Sequence, residues 1–220
     1  MDLAHFIDHT LLKPDSSSNH IKLLCEEAIQ YQFAAVCVPP YYVKDVAHWL
    51  EKSPVKIATV VGFPLGYAAT AAKVEEIKRA IDEGADELDA VVNICAVKNG
   101  NWNFVKNEID SLTTASHMRG KMVKVILETG LLVEKEIFKL CDICTEAQVD
   151  FVKTSTGFAQ QGATVEVISL LRGRLPKSIK IKASGGIRDR QFAEQLIQAG
   201  AERIGTSAGV QLVSGTAVTN

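Results

Sequence analysis

The sequence lacks an excess of charge of either sign, since 24 Lys and Arg residues stand against 26 Asp and Glu residues in 220. A net charge of −2 gives no electrostatic reason to expect binding to nucleic acid or to an anionic membrane. The longest stretch without a charged residue, 204–220, is rich in Gly, Ser and Thr and predicts no membrane span. The N-terminus has no basic start followed by an apolar run, so we expect a cytoplasmic protein without a secretory signal.

Disulfide frameworks, metal motifs and linkers are also missing. The five cysteines are an odd number without framework spacing, which favours free thiols in a reducing compartment. The five histidines show no paired spacing typical of a metal site, so we expect no metal ion. No segment rich in Pro, Gly or Ser divides the chain, and we expect one catalytic domain over residues 1–220.

The sequence does contain eight short β-like runs separated by longer helical patterns. The runs lie at 7–12, 34–38, 56–62, 87–93, 123–128, 151–155, 179–184 and 203–206. Apolar runs that alternate with helices predict a parallel sheet covered by helices on its outer face. Eight such units favour a closed barrel over an open doubly wound sheet. We therefore predict an α/β fold, a single (β/α)8 TIM barrel with a short N-terminal extension into the first strand.

Lys153 and Lys182 each lie in an otherwise apolar or small-residue strand, where a buried lysine is rare without a partner or a purpose. If both point into the barrel from adjacent strands, repulsion and desolvation would lower the pKa of one of the two amines. A neutral lysine amine can attack a carbonyl and form a Schiff base. The alternative is a lysine at a strand end with its ammonium group in water. Lys180 shares the strand parity of Lys182, although Lys182 lies nearer the carboxyl end, where barrel active sites lie.

Asp89 is the acidic residue that strand alternation turns toward the barrel interior. Alternation places Asp89, Val91 and Asn93 on one face of the strand, and the opposite face, at positions 88, 90 and 92, is purely apolar and suits the helices. An inward carboxylate beside two lysines would be ionised and could move protons directly or through a water molecule. The alternative is a salt bridge inside the barrel.

Two glycine-rich segments, 184–188 and 205–209, follow the seventh and eighth predicted strands. Barrels often bind phosphate at this place through backbone N–H groups and a helix N-terminus. Gly157, after the sixth strand, could supply a third backbone contact. The alternative is a set of tight turns that need positive φ angles.

These segments together resemble the deoxyribose-phosphate aldolase family of class I aldolases. The similarity runs through nearly the whole chain and rests on residues 7–12, 36–39, 61–66, 151–157 and 182–188 and on the Asp89 strand. It implies a lyase of deoxyribonucleotide and carbohydrate degradation, which reversibly cleaves 2-deoxy-D-ribose 5-phosphate to acetaldehyde and D-glyceraldehyde 3-phosphate. It also implies a cofactor-free, metal-independent reaction, sugar phosphate and aldehyde substrates, and a homodimer or homotetramer.

The resemblance implies roles for individual residues. Lys153 matches the Schiff-base lysine, and Lys182 matches the second lysine, which perturbs the first and joins the proton relay. Asp89 matches the residue that donates and accepts the proton, and Asp8 matches a supporting carboxylate near Lys182. The implied substrate and phosphate contacts are Thr156, Gly157, Gly185, Gly186, Arg188, Gly205, Ser207 and Cys37.

The sequence departs from the family pattern at three places. Ala208 stands where many relatives have a second Ser, Phe158 stands where some have a Lys, and the chain ends at Asn220 without a C-terminal Tyr. These departures concern the phosphate group and turnover more than the reaction type. The other hypotheses are another Schiff-base aldolase or a phosphosugar isomerase on the same barrel, or a phosphosugar-binding barrel without catalysis. The intact Lys153, Lys182 and Asp89 argue against the last of these.

Overall fold

A closed barrel of eight parallel strands forms the centre of the computed structural model, which describes residues 1–215. The strands are β1 (Ile7–Thr10), β2 (Ala35–Val38), β3 (Lys56–Val61), β4 (Glu87–Val91), β5 (Met122–Ile126), β6 (Phe151–Lys153), β7 (Lys180–Ser184) and β8 (Arg203–Thr206). Each strand pairs with the next, and β8 closes the barrel on β1 with Ile204 opposite Ile7. A 3-10 turn at Ala4–Phe6 leads into β1. The predicted TIM barrel and its short N-terminal extension are confirmed.

Helices surround the barrel as an outer layer. They are α1 (Ser18–Gln30), α2 (Val43–Trp49), α3 (Thr70–Asp82), α4 (Ile94–Lys98), α5 (Trp102–His117), α6 (Glu134–Glu146), α7 (Val165–Arg174), α8 (Arg190–Gln198) and α9 (Gly209–Ser214). Helix α4 is a short element that the sequence pattern did not predict. Within residues 1–215, every helix is too short or too polar to span a bilayer.

The barrel separates two kinds of buried side chain. Those that face the helices are apolar and form one large core, with Val36, Leu88 and Ile181 as typical strand members. Inside the barrel, β2 and β3 contribute a small cluster of short apolar side chains, which consists of Ala35, Cys37, Ala58 and Val60. Because these side chains are short, the interior can hold the long charged side chains of the other strands.

Several strands end earlier at their carboxyl ends than the sequence pattern predicts. Asn93 leaves β4 because its side chain accepts a hydrogen bond from the N–H of Ala96 and caps α4. The alternation that holds for Asp89 therefore does not reach Asn93, and the prediction of a common inward face was wrong there. Glu128 has φ 58°, in the left-handed region, which no strand residue adopts. The residues after each strand end instead form the loops over the barrel mouth.

Candidate active site

Seven charged side chains meet inside the barrel. The four cations are Lys124, Lys153, Lys182 and Arg203, and the three carboxylates are Asp8, Glu87 and Asp89. Arg203 has a side chain 13% exposed, and the other six residues are at most 2% exposed. Buried charges persist in proteins only when opposite charges compensate them. Four cations against three carboxylates leave this cluster with one positive charge in excess.

Asp89 links the two lysines that the sequence singled out. Its Oδ2 atom accepts hydrogen bonds from Lys153 Nζ at 2.9 Å and from Lys182 Nζ at 2.8 Å, while Oδ1 accepts one from Lys124 Nζ at 2.8 Å. Burial alone would raise the pKa of Asp89, but the three lysines hold it well below its usual range. The predicted inward orientation is confirmed, and so is the salt bridge that stood as the alternative.

Lys182 is held as a cation by two carboxylates. Its Nζ contacts Asp89 and also Asp8, which lies beside it as expected. Burial alone would lower the pKa of Lys182, but Asp8 and Asp89 raise it above its ordinary value. Lys180, the residue that strand parity could not exclude, is exposed, with its Nζ 5.7 Å from the centroid of the Phe151 ring. The structure thus separates the two candidates in favour of Lys182.

Lys153 differs from the other cations in its partners and in its access. Among residues 1–215 its ammonium group pairs with one carboxylate, that of Asp89, whereas each of the other three cations contacts at least two. It is also the cluster member that lines the cavity at the barrel mouth. The amine with the weakest compensation is therefore the one that a ligand can reach.

Three members of the cluster were missed by the sequence analysis: Glu87, Lys124 and Arg203. Glu87 lies two residues before Asp89 and Lys124 is paired with Asp89 in the β4–β5 register, so strand alternation contained the signal for both. Lys124 Nζ lies 2.5 Å from Glu87, and Arg203 donates to Glu87 at 2.8 Å and also contacts Asp8.

Within residues 1–215, no group of three or more His, Cys, Asp or Glu side chains is placed to hold a metal ion.

A cavity of about 340 Å³ opens above Lys153 at the carboxyl ends of the strands. Its lining includes seven residues expected from the sequence: Thr156, Gly157, Gly185, Gly186, Arg188, Gly205 and Ser207. Gly157, Gly185 and Gly186 have φ angles of 86°, 88° and 76°, so these turns need glycine and also face the cavity. The lining contains the cations of Lys13, Lys153 and Arg188 and no carboxylate. Such a lining suits an anion.

Cys37 and Thr156 differ in how they relate to the cavity. Cys37 lies fully buried in the apolar cluster inside the barrel and does not line the cavity, and burial raises the pKa of its thiol. The strand β2 turns Cys37 toward the barrel interior, where the charges of Lys182, Asp89 and Lys153 act on it, and a substrate contact there stays a prediction. Thr156 does line the cavity, but its hydroxyl and backbone N–H both donate to Glu128. Thr156 therefore organises its loop as well as facing the cavity.

The sequence departures lie at the rim of the cavity or beyond the described part of the chain. Phe158 lines the cavity and packs edge to face on Phe63, with the ring centroids 5.2 Å apart. Ala208 donates its backbone N–H to the Thr206 hydroxyl at 2.9 Å. The chain end near Asn220 lies outside the described residues.

Asp8 makes the stability of the barrel depend on pH in the acid range. Burial alone would raise its pKa, but Lys182, Arg203 and Lys124 lower it to about 2. A carboxylate with a lowered pKa stabilises the fold above its unfolded-state pKa, near 3.9, and loses that contribution as the pH falls through about 2. We expect the difference in unfolding free energy between the wild type and Asp8→Asn to shrink by about 2 kcal/mol between pH 5 and pH 2. Denaturant titrations across this range measure it, and a constant difference would contradict the ion-pair assignment.

Comparisons with known proteins agree with this geometry. Residues 3–217 match the family model described as DeoC/LacD family aldolase. The deoxyribose-phosphate aldolase of Thermococcus gammatolerans is 50% identical over 217 residues, covering 98% of this chain and 96% of that protein. The deoxyribose-phosphate aldolase of Caldicellulosiruptor saccharolyticus is 50% identical over 214 residues, covering 97% of each chain.

A solved structure shows the same architecture. It is described as the unique tetrameric structure of deoxyribose phosphate aldolase from Aeropyrum pernix, and it superposes with a TM-score of 0.91 at 34% identity. The match covers 97% of this chain and 90% of that one. With the family model spanning almost the whole sequence and the lysine pair and Asp89 joined inside the barrel, the chain belongs to the DeoC/LacD family of aldolases.

Proposed function

We propose that this aldolase reversibly cleaves 2-deoxy-D-ribose 5-phosphate to acetaldehyde and D-glyceraldehyde 3-phosphate through a Schiff base on Lys153. The observation that carries the proposal is the position of Lys153, which joins the buried charge cluster to a cavity lined by cations and glycine turns. In a phosphorylated carbonyl compound, the carbonyl group suits the Lys153 amine and the phosphate group suits the cations and glycine turns of the cavity. Relatives named deoxyribose-phosphate aldolase at 50% identity support the same substrate.

The charge balance of the cluster supports Lys153 as the nucleophile. The cluster holds four cations against three carboxylates, and among residues 1–215 Lys153 pairs with one carboxylate. Lys182 and Lys124 each contact at least two carboxylates, which hold them in ion pairs. Schiff-base chemistry requires an amine that can reach a carbonyl, and Lys153 is the amine of the cluster that lines the cavity.

Cleavage begins when Lys153 Nζ attacks C1 of the open-chain sugar, and loss of water gives an iminium ion. Removal of the proton from the C3 hydroxyl forms the new carbonyl as the C2–C3 bond breaks. The electron pair of that bond moves into the iminium, which becomes an enamine, and D-glyceraldehyde 3-phosphate leaves. Protonation of the enamine carbon and addition of water then release acetaldehyde and restore the amine.

Asp89 and Lys182 are the groups that we assign to proton transfer. Asp89 contacts both lysines through one oxygen, so it can take a proton near the reacting carbon and pass it to its neighbour. Lys182 is cationic at rest, so it can donate a proton to Asp89, become neutral, and recover the proton when Asp89 next takes one up. Asp8 supports the relay by holding Lys182 in place.

The phosphate group is assigned to the turns that follow β6, β7 and β8. Backbone N–H groups at glycines approach a phosphate closely because no side chain blocks them. Gly157, Gly185, Gly186 and Gly205 provide such places, with the Ser207 hydroxyl and the Arg188 guanidinium beside them. The cavity lining contains no carboxylate, which would repel a phosphate group bound by this set.

Gly162, which the sequence analysis did not select, is the support of the Gly185 turn. A Cβ atom on Gly162 would lie 2.1 Å from the Gly185 carbonyl oxygen, so Gly162→Ala must displace that turn. We expect a loss of about 1–3 kcal/mol in unfolding free energy and a KM for the phosphorylated sugar raised roughly tenfold. Gly173→Ala in α7 is the matched control, because nothing lies within 4 Å of its Cβ position and it should leave KM unchanged. Equal KM values for both variants would contradict the support role.

Three wider features are part of the same proposal. We propose one catalytic domain, because the closed barrel occupies the described residues from Ile7 onward. The relative described as a tetramer supports a homo-oligomer, a homodimer or homotetramer. Five cysteines without disulfide bonds support a cytoplasmic location.

A direct assay tests the reaction. The purified protein is incubated with 2-deoxy-D-ribose 5-phosphate, and acetaldehyde and D-glyceraldehyde 3-phosphate are each measured over time. We expect equal amounts of both products, and no cleavage of D-ribose 5-phosphate at a comparable rate. Cleavage of ribose 5-phosphate with release of glycolaldehyde, and none of the deoxy sugar, would show a different Schiff-base aldolase.

A further inference from the structure

We infer that Lys13, in the loop after β1, is a phosphate-binding residue that sets the preference for phosphorylated over unphosphorylated substrates. The inference rests on the proposed function and deepens it. Lys13 lines the cavity above Lys153, together with Gly205 and Ser207 from β8 and its following turn. Strands β7, β8 and β1 are consecutive around the barrel. The turn after β8, with Gly205 and Ser207, thus lies between the loop that carries Arg188 and the loop that carries Lys13.

The ammonium group of Lys13 is available to a ligand. Within residues 1–215 its side chain has no salt bridge and no hydrogen-bond partner, and the same holds for Arg188. Lys13 also borders a second cavity that contains Asp15 and Glu27, yet it pairs with neither of them. Glu27 is already bound to His9 at 2.7 Å. An unpaired cation beside a cavity without carboxylates is placed to bind an anion.

The backbone around Lys13 is fixed before any ligand binds. The N–H of Leu11 donates to the Cys37 carbonyl at 3.0 Å, and the N–H of Ser16 donates to the Lys13 carbonyl at 3.1 Å, which closes a turn. Pro14 follows Lys13 and suits the second position of that turn. The Tyr42 hydroxyl donates to the Ser16 carbonyl at 2.6 Å and ties the turn to the start of α2. Binding then requires ordering of the lysine side chain and little rearrangement of the loop.

Lys13 also supplies positive charge at a rim where the chain has Phe158. The Phe158 side chain is apolar and lies against Phe63, so the loop after β6 adds no cation to the cavity. The cations other than Lys153 that line the cavity are Lys13 and Arg188. Removal of one of the two should therefore have a large effect on phosphate affinity and a small effect on the chemical step.

The test compares Lys13→Met with Lys177→Met, which removes the same charge from the loop before β7 at the opposite end of the barrel. Three quantities are measured: KM and kcat for 2-deoxyribose 5-phosphate, KM for 2-deoxyribose, and Kd for inorganic phosphate by calorimetry. We expect Lys13→Met to raise the first KM and the phosphate Kd about tenfold, equivalent to about 1.4 kcal/mol, with kcat within about twofold. KM for 2-deoxyribose should not change, Lys13→Arg should restore most of the affinity, and Lys177→Met should match the wild type.

The outcomes separate this inference from the proposed function. If the wild type fails to cleave the phosphorylated sugar, the proposed function is wrong, and the phosphate Kd still tests Lys13. If the wild type cleaves it and Lys13→Met keeps the same KM and phosphate Kd, the role of Lys13 is wrong. An equal rise of KM for both sugars, or no measurable phosphate binding by the wild type, would also overturn it.

Discussion

Replacing Lys153 with Met should abolish aldol cleavage while leaving the barrel at least as stable as the wild type. Without the amine no iminium can form, and loss of a covalent nucleophile lowers kcat/KM by at least about 10⁴-fold. The substitution also removes the excess positive charge and leaves three cations against three carboxylates. Because a buried uncompensated charge destabilises a fold, its removal should raise the unfolding free energy at neutral pH and below.

Two measurements on the same preparation check this prediction: the rate of 2-deoxy-D-ribose 5-phosphate cleavage and the temperature of thermal unfolding. Lys180→Met is the control, because Lys180 lies on the neighbouring strand β7 but is exposed outside the cluster. It should retain full activity. A stable and active Lys153→Met enzyme would contradict the mechanism, whereas an inactive variant that unfolds at a much lower temperature would contradict the charge balance of the cluster.

Replacing Asp89 with Asn should damage both stability and catalysis. Four cations would then share two carboxylates, and Lys153 would lose the carboxylate that it contacts. Breaking a buried ion pair from one side costs about 3–5 kcal/mol, and loss of a general acid and base costs about 10²–10⁴-fold in rate. Stability of this variant should rise with pH, because the unfolded chain binds more protons than a folded state with uncompensated lysines.

A second variant separates the charge effect from the chemical role of Asp89. Adding Lys124→Met to Asp89→Asn gives three cations and two carboxylates, which restores the original excess of one. Unfolding free energy should then recover in large part, while kcat stays low because the proton-transfer group is still missing. Recovery of kcat together with stability would show that Asp89 acts only as a counter-ion.

Strand alternation was sufficient to predict that Asp89 and Lys182 point into the barrel. Lys182 and Asp89 each lie on a strand whose other face is apolar, so their orientation followed from the need to bury that face against helices. Eight repeats of the same unit predicted the closed barrel, and the barrel rule then placed both residues at one end. The same alternation applied to Glu87 and Lys124 would have predicted two of the three members of the buried cluster that were missed, with Arg203 as the exception.

Other features depend on contacts between distant segments that no local pattern records. Gly162 and Gly185 approach each other only because the loops that carry them meet. Their separation in the sequence does not show that a Cβ atom on Gly162 would lie 2.1 Å from the Gly185 carbonyl oxygen. Lys13 follows its strand by three residues, beyond the reach of the alternation rule, and its access to the cavity depends on a turn fixed by Tyr42. For Cys37, strand position gives the direction of the side chain but not its depth, and the structure has it buried inside the barrel rather than in the cavity lining.

Borohydride trapping with acetaldehyde is the most direct test of the central claim that Lys153 is the reacting amine. The iminium formed with acetaldehyde is reduced by hydride to a stable N-ethyl-lysine, which peptide mass mapping locates. The charge cluster predicts this adduct on Lys153 and none on Lys124, Lys180 or Lys182, with no adduct when acetaldehyde or borohydride is omitted. An adduct on another of these lysines, or none at all, would contradict it.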